Sequence, residues 1–152
     1  MRAMRCAAAG DRSGECAAYN NLGETHSFLG QFDKAIESYD KALAIARELC
    51  DRSAESRTCA YLGTVYTRMG QYGKAVNLLE KALAIAREVG DRAGEGIAYG
   101  YLGDAYRWLD QIGKAMEYGE KSLAIAREVG DRIGEGRAYA HLGAAYYRQG
   151  QL

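Results

Sequence analysis

The hexapeptide Leu43-Ala44-Ile45-Ala46-Arg47-Glu48 returns unchanged at 83–88 and again at 123–128, a step of 40 residues each time. Reading outward from it, other signals keep the same register. Asp-Arg stands at Asp11-Arg12, Asp51-Arg52, Asp91-Arg92 and Asp131-Arg132, with Glu15, Glu55, Glu95 and Glu135 close behind. Leu-Gly stands at Leu22-Gly23, Leu62-Gly63, Leu102-Gly103 and Leu142-Gly143, and Lys-Ala at Lys34-Ala35, Lys74-Ala75 and Lys114-Ala115. A fixed period of this size marks a chain of stacked units, none of which buries its apolar face alone.

Each unit reads as two helices. In the third, Ile97, Tyr101 and Trp108 share one side of a 3.6-residue helix, while Ala98, Leu102, Ala105 and Leu109 share another. Asp91 is placed to cap that helix, and Gly90 before it suits a left-handed helix end. Short turns make consecutive helices antiparallel. Breaks are expected at Gly30-Gln31, Gly70-Gln71, Asp110-Gln111 and Gly150-Gln151. First helices are therefore expected over 13–29, 53–69, 93–109 and 133–149, and second helices over 33–49, 73–89 and 113–129. The second helix of the second unit should turn Ala75, Leu78, Leu79, Ala82, Leu83 and Ala86 inward. Residues 1–10 read as the remnant of a preceding helix, 11–50, 51–90 and 91–130 as whole units, and 131–152 as the first helix of a fourth. Gly23, Gly63, Gly103 and Gly143 each sit inside a helix, at a cost of about 1 kcal/mol against Ala. The repetition of that cost points to close approach of the partner helix, met by Ala35, Ala75 and Ala115.

Composition agrees with one all-α domain. The chain has 152 residues, 48% of them hydrophobic, which is too many for disorder. Twenty Lys and Arg balance twenty Asp and Glu, so neither a nucleic-acid partner nor a membrane surface is expected. No apolar run approaches the ~18 residues of a membrane span. The start, Met1 to Gly10, lacks the apolar block of a signal peptide. Cys6, Cys16, Cys50 and Cys59 show no CxxC pair, so free thiols in a reducing cytoplasm are expected rather than zinc or disulfides.

The pattern Tyr99, Leu102, Gly103, Tyr106, Gln111-Ile112, Ala115, Ser122, and its counterpart Cys59, Leu62, Gly63, Tyr66, Gly70-Gln71-Tyr72, Ala75, Ala82, resembles the tetratricopeptide repeat. The resemblance covers residues 11–152 and implies a right-handed α-α superhelix of about seven antiparallel helices, roughly three and a half repeats. This chain lacks the proline that usually ends the second helix, and a Gly-Asp-Arg turn makes the unit longer. That variant is similar to the Pins/LGN group.

The resemblance implies that first helices line a concave groove that binds peptides. Its candidate residues here are Asn20, Asn21 and Glu24; Arg57, Tyr61 and Arg68; Tyr101, Asp104, Arg107 and Trp108; and Arg137, His141 and Arg148. Chaperone-binding members clamp a terminal carboxylate with Lys and Asn. The matching positions are Asn20, Glu24, Tyr61, Ile97 and Tyr101, of which only Asn20 suits, so that function is not expected. An aromatic, arginine-rich groove instead suits a peptide or helix with acidic and apolar residues. Alternatively, the tyrosines pack between helices and the arginines pair with Glu24 and Asp104.

No catalytic, metal or cofactor site is expected. Asp-Arg-x-x-Glu occurs in every unit, which points to turns and ion pairs such as Arg92 with Glu128. His26 and His141 have no neighbouring ligand set, and no phosphate loop is present. The expected function is a protein-interaction scaffold. The alternative is self-association, end to end or by helix exchange, through faces left uncovered on the last helix and at the N-terminal stub.

Overall fold

The computed structural model describes residues 2–150, with side chains from residue 10 onward. Seven helices follow in order: α1 (Arg2–Phe28), α2 (Phe32–Glu48), α3 (Arg52–Arg68), α4 (Tyr72–Glu88), α5 (Arg92–Trp108), α6 (Ile112–Val129) and α7 (Arg132–Gly150). Among the described residues there is no strand. The fold is an all-α superhelix of helix pairs.

All six turns close in the same way. After α4, the Gly90 N–H donates to the Arg87 carbonyl and the Asp91 N–H to the Ala86 carbonyl at 2.8 Å. This pairing satisfies the last carbonyls of the helix and requires a left-handed residue after it. Gly30, Gly70, Gly90 and Gly130 supply that conformation, whereas Cys50 (φ 53°) and Asp110 (φ 57°) adopt it with a Cβ. Asp51, Asp91 and Asp131 then start the next helix by accepting from the N–H of Ala54, Gly94 and Gly134.

The expected separation of a helix remnant over 1–10 from a first helix over 13–29 is absent, because α1 runs unbroken from Arg2 to Phe28. Gly10 keeps a negative φ. Continuing the helix keeps every i→i−4 bond, which outweighs the ~1 kcal/mol cost of one interior glycine. The end expected at Gly150-Gln151 falls where the described residues stop.

One core runs through the stack. Tyr39, Leu62, Val65, Leu79, Tyr99, Leu102, Ile125 and Ala145 belong to it. A smaller cluster around Cys16, Ala42, Ile45 and Ala54 joins α1, α2 and α3. In α4 the expected inward residues are buried except Leu78, which is half-buried, and Val76 and Ile85 are buried as well.

Three of the four helix glycines are tight, Gly143 having nothing within 4 Å, and two of the three not against the expected alanines. A Cβ on Gly23 would lie 2.6 Å from the Tyr39 ring, and one on Gly63 2.6 Å from Leu79 Cγ. Only Gly103 approaches its alanine, at 3.1 Å from the Ala115 carbonyl oxygen. The side chain one turn beyond the alanine leans back toward the helix N-terminus and fills the space.

An ion-pair ladder closes each unit. Arg12 meets Glu48 at 2.5 Å, Arg52 meets Glu88 at 2.7 Å and Arg92 meets Glu128 at 2.6 Å. The same arginines reach Glu15, Glu55 and Glu95. The recurrent Asp-Arg-x-x-Glu is thus structural in the first three units.

Candidate peptide-binding groove

The odd-numbered helices touch one another in sequence, α1 on α3, α3 on α5 and α5 on α7. The even-numbered helices make no such contact with each other among the described residues. The odd layer is therefore the tighter, concave side, and its clefts lie where two odd helices part.

Between α3 and α5 lies an open cleft of about 770 Å³. Arg57 and Tyr61 from α3, Ile97 and Tyr101 from α5, and Arg137 from α7 line it. Arg57 and Arg137 are exposed, and neither makes an ion pair among the described residues. Arg137 donates to the Tyr101 hydroxyl at 3.4 Å. Tyr61 is half-buried against Tyr39, with ring centroids 5.7 Å apart. Burial pushes the Tyr61 phenol up, so it remains a neutral donor at physiological pH. Asp91 at the edge spends its carboxylate on the α5 N-terminus.

A second, much narrower cleft lies between α5 and α7. It shares Tyr101 and Arg137 with the first and adds His141, and it reaches down to Ile125 and Val129 of α6. The cleft between α1 and α3 is polar, with Asn20, Asp51 and Arg57 around it. Asn20 is partly committed there, because its Oδ1 accepts from Thr58 Oγ1 at 3.1 Å.

The remaining candidates stand elsewhere. Asn21 and Glu24 are exposed on α1, outside the three clefts. Arg68 donates to the Ser27 carbonyl at 2.6 Å and lies over the Phe32 ring. Trp108 lies parallel to Tyr72, with centroids 6.3 Å apart, and Arg148 meets Asp110 at 2.5 Å. These three positions, one per repeat, reach back to the turn of the preceding repeat. Arg107 meets Asp104 at 2.6 Å, and His141 Nδ1 lies 3.7 Å from the same carboxylate. Burial pushes Asp104 up, but His141 and Arg107 outweigh it and hold the carboxyl below its ordinary value. Arg107 Nε is buried without a partner.

Of the candidate residues, then, the structure gathers Arg57, Tyr61, Tyr101, Arg137 and His141 around two adjoining clefts. Sequence reasoning missed the α6 residues Ile125 and Val129 and the small residues Ala93 and Gly96. The signal was there: Gly96 and Gly100 stand one turn apart where the previous repeat has Ser56 and Ala60. Among the described residues no group of three His, Cys, Asp or Glu is placed to hold a metal ion. No described helix is long and apolar enough to cross a membrane.

Comparison with known proteins gives a family and a fold. The sequence model of the tetratricopeptide repeat matches residues 2–48, 14–88, 54–128 and 94–152. No curated protein sequence matches the chain. Among solved structures, BtubC (BKLC) from P. vanneervenii is similar at 22% identity and a TM-score of 0.75, over 89% of this chain and 56% of that one. The chain thus spans little more than half of that relative. A variant form of a Podosopora anserina protein with nearly identical TPR-like repeats aligns at 23% identity, TM-score 0.75, over 92% of this chain and 68% of that one. The TPR domain of Arabidopsis FLU aligns at 28% identity, TM-score 0.70, over 79% of this chain and 99% of that domain.

Proposed function

Because the chain belongs to the tetratricopeptide repeat family, whose members generally mediate protein–protein interactions, we propose that it is a non-enzymatic scaffold that holds a partner's peptide or helix in its concave groove. The favoured ligand carries acidic and apolar residues. One observation carries this reading: Arg57 and Arg137, from different helices and without ion-pair partners among the described residues, line one cleft with Tyr61 and Tyr101. Arginine pairs carboxylates through two parallel hydrogen bonds, and tyrosine offers contact area at low entropic cost. The 40-residue period with its Gly-Asp-Arg turn supports kinship with the Pins/LGN type. The free thiols of Cys16, Cys50 and Cys59 fit a cytoplasmic setting.

The test is selection of phage-displayed random dodecapeptides on the immobilised chain. Enriched peptides should be rich in Asp and Glu, and Arg57→Glu with Arg137→Glu should weaken them about tenfold or more. Enrichment of basic peptides, or no effect of the charge reversal, overturns the reading.

A second reading is self-association through α7. Tyr99 and Tyr106 of α5 are covered by α6, whereas their equivalents Tyr139 and Tyr146 are each 51% exposed. A second copy of the chain is the occupant that this reading assigns to the face of Tyr139 and Tyr146.

A further inference from the structure

α5 and α7 carry one face in two settings. They agree at Gly96 and Gly136, Tyr99 and Tyr139, Gly103 and Gly143, and Tyr106 and Tyr146. On α5 this face is covered by α6. The Tyr118 ring stands beside both Tyr99 and Tyr106, with centroids 5.6 and 5.5 Å away. Lys121 Nζ lies 5.5 Å from the Tyr99 centroid, and Lys114 Nζ 4.9 Å from that of Tyr106. The Ser122 hydroxyl donates to the Gly96 carbonyl at 2.8 Å, and a Cβ on Gly103 would stand 3.1 Å from the Ala115 carbonyl oxygen. On α7 the face is open: Tyr139 and Tyr146 are exposed, and a Cβ on Gly136 or Gly143 would meet nothing within 4 Å. Half of the Tyr99 surroundings already exist at Tyr139. Arg127 of α6 lies over its ring at 5.6 Å, as Arg87 of α4 lies over Tyr99 at 5.4 Å.

The charges at the start of α7 are open as well. Arg92 takes Glu128 of α6 at 2.6 Å, and Glu55 takes Lys81 of α4 at 3.6 Å. Their counterparts Arg132 and Glu135 make no ion pair among the described residues. A helix laid on α7 therefore meets a cation that lacks its glutamate and, three residues on, an acid that lacks its lysine. We propose that α7 is the acceptor for one helix of a partner protein, seated as α6 sits on α5. That helix carries an aromatic residue, a lysine four positions before it, a second lysine three after it, and a glutamate seven beyond the second lysine, the spacing of Lys114, Tyr118, Lys121 and Glu128. A second copy of the chain has no free helix of this kind. Lys41, Lys81 and Lys121 are spent on Tyr19, Glu55 and Tyr99 within their own repeats. α1 has an open flank, with Leu22 exposed where Leu62 is buried, but it contains no lysine. Tyr139 and Tyr146 line none of the three clefts, so this surface stands apart from the groove.

The probe is a fluorescein-labelled peptide with the sequence of residues 112–129. A hydrocarbon staple across Glu120 and Ala124, both exposed on α6, holds it helical. Fluorescence polarisation follows its binding to the full chain, and saturable binding is expected. Tyr118→Ala in the peptide should weaken binding about tenfold. Lys114→Glu with Lys121→Glu in the peptide should weaken it about fivefold. In the chain, Tyr139→Glu with Tyr146→Glu should weaken it about tenfold, whereas Arg57→Glu with Arg137→Glu should leave it unchanged. No saturable binding of the stapled peptide overturns the assignment, as does binding that Tyr139→Glu/Tyr146→Glu leaves intact. Binding lost on the groove charge reversal puts the helix in the groove and overturns it too. A mass of the chain alone that rises with concentration, and no longer rises in Tyr139→Glu/Tyr146→Glu, gives the face to a second copy and overturns the partner helix. The groove reading survives each of these failures, since its own test is the selection of acidic peptides.

Discussion

Gly63 and Gly143 occupy the same place in their repeats, and their surroundings give them opposite roles. A Cβ on Gly63 would press on Leu79 at 2.6 Å, while one on Gly143 would meet nothing within 4 Å. Gly63→Ala gains helix propensity of about 1 kcal/mol and loses about 1–3 kcal/mol to overpacking. Gly143→Ala takes the gain alone. Urea unfolding should therefore show Gly63→Ala destabilised and Gly143→Ala stabilised by about 0.5–1 kcal/mol. Equal effects would mean that packing at Gly63 is looser than the structure has it. The same contrast explains Gly96 and Gly100. Whether a neighbouring helix is close at a glycine of this chain differs from repeat to repeat.

At the scale of the helices, the apolar junction between one pair and the next carries a buried charge. Glu55 is buried at the start of α3 among Arg47, Arg52 and Lys81. Burial pushes its carboxyl up, but the three cations outweigh burial and hold it below the ordinary 4.5. Its folded value lies below its unfolded one, so between the two the unfolded chain binds more protons. The stabilisation is therefore complete above pH 4.5 and is lost as pH falls through the folded value. Asp104 acts in the same direction, held down by His141 and Arg107 against burial. Glu55→Gln should cost about 1–3 kcal/mol at pH 7, since it leaves three cations without their shared acceptor. It should also flatten the decline in stability below pH 4.5. An unchanged acid slope in urea titrations would show that the junction does not carry the pH dependence.

For the whole molecule, the question is what a stack of nearest-neighbour contacts leaves uncovered. Each repeat contacts only its neighbours, so an uncovered helix shows the face its equivalents bury. α7 buries Ala138, Leu142 and Ala145 and exposes Tyr139 and Tyr146, whose equivalents Tyr99 and Tyr106 are buried. If a second copy covers that face, light scattering should give a mass rising above 16.6 kDa with concentration. Tyr139→Glu with Tyr146→Glu should abolish the rise. A constant mass over a hundredfold range overturns self-association and leaves the groove as the interaction surface.

The 40-residue register, the helix pairs and the Asp caps could all be read in the residues, because turns and caps are local and each signal recurs. So could the arginine and tyrosine character of one helix face. What the residues alone did not determine is which of those arginines are free. Arg107 takes Asp104, three residues before it on α5, a local pair, but Arg68 and Arg148 are engaged by Ser27 and Asp110 of the preceding repeat. Arg57 and Arg137 are 80 positions apart and border one cleft only because α3, α5 and α7 curve together. The close seating of α5 on α6 at Gly96 and Gly100 is likewise set by packing between helices rather than by any local preference of the chain.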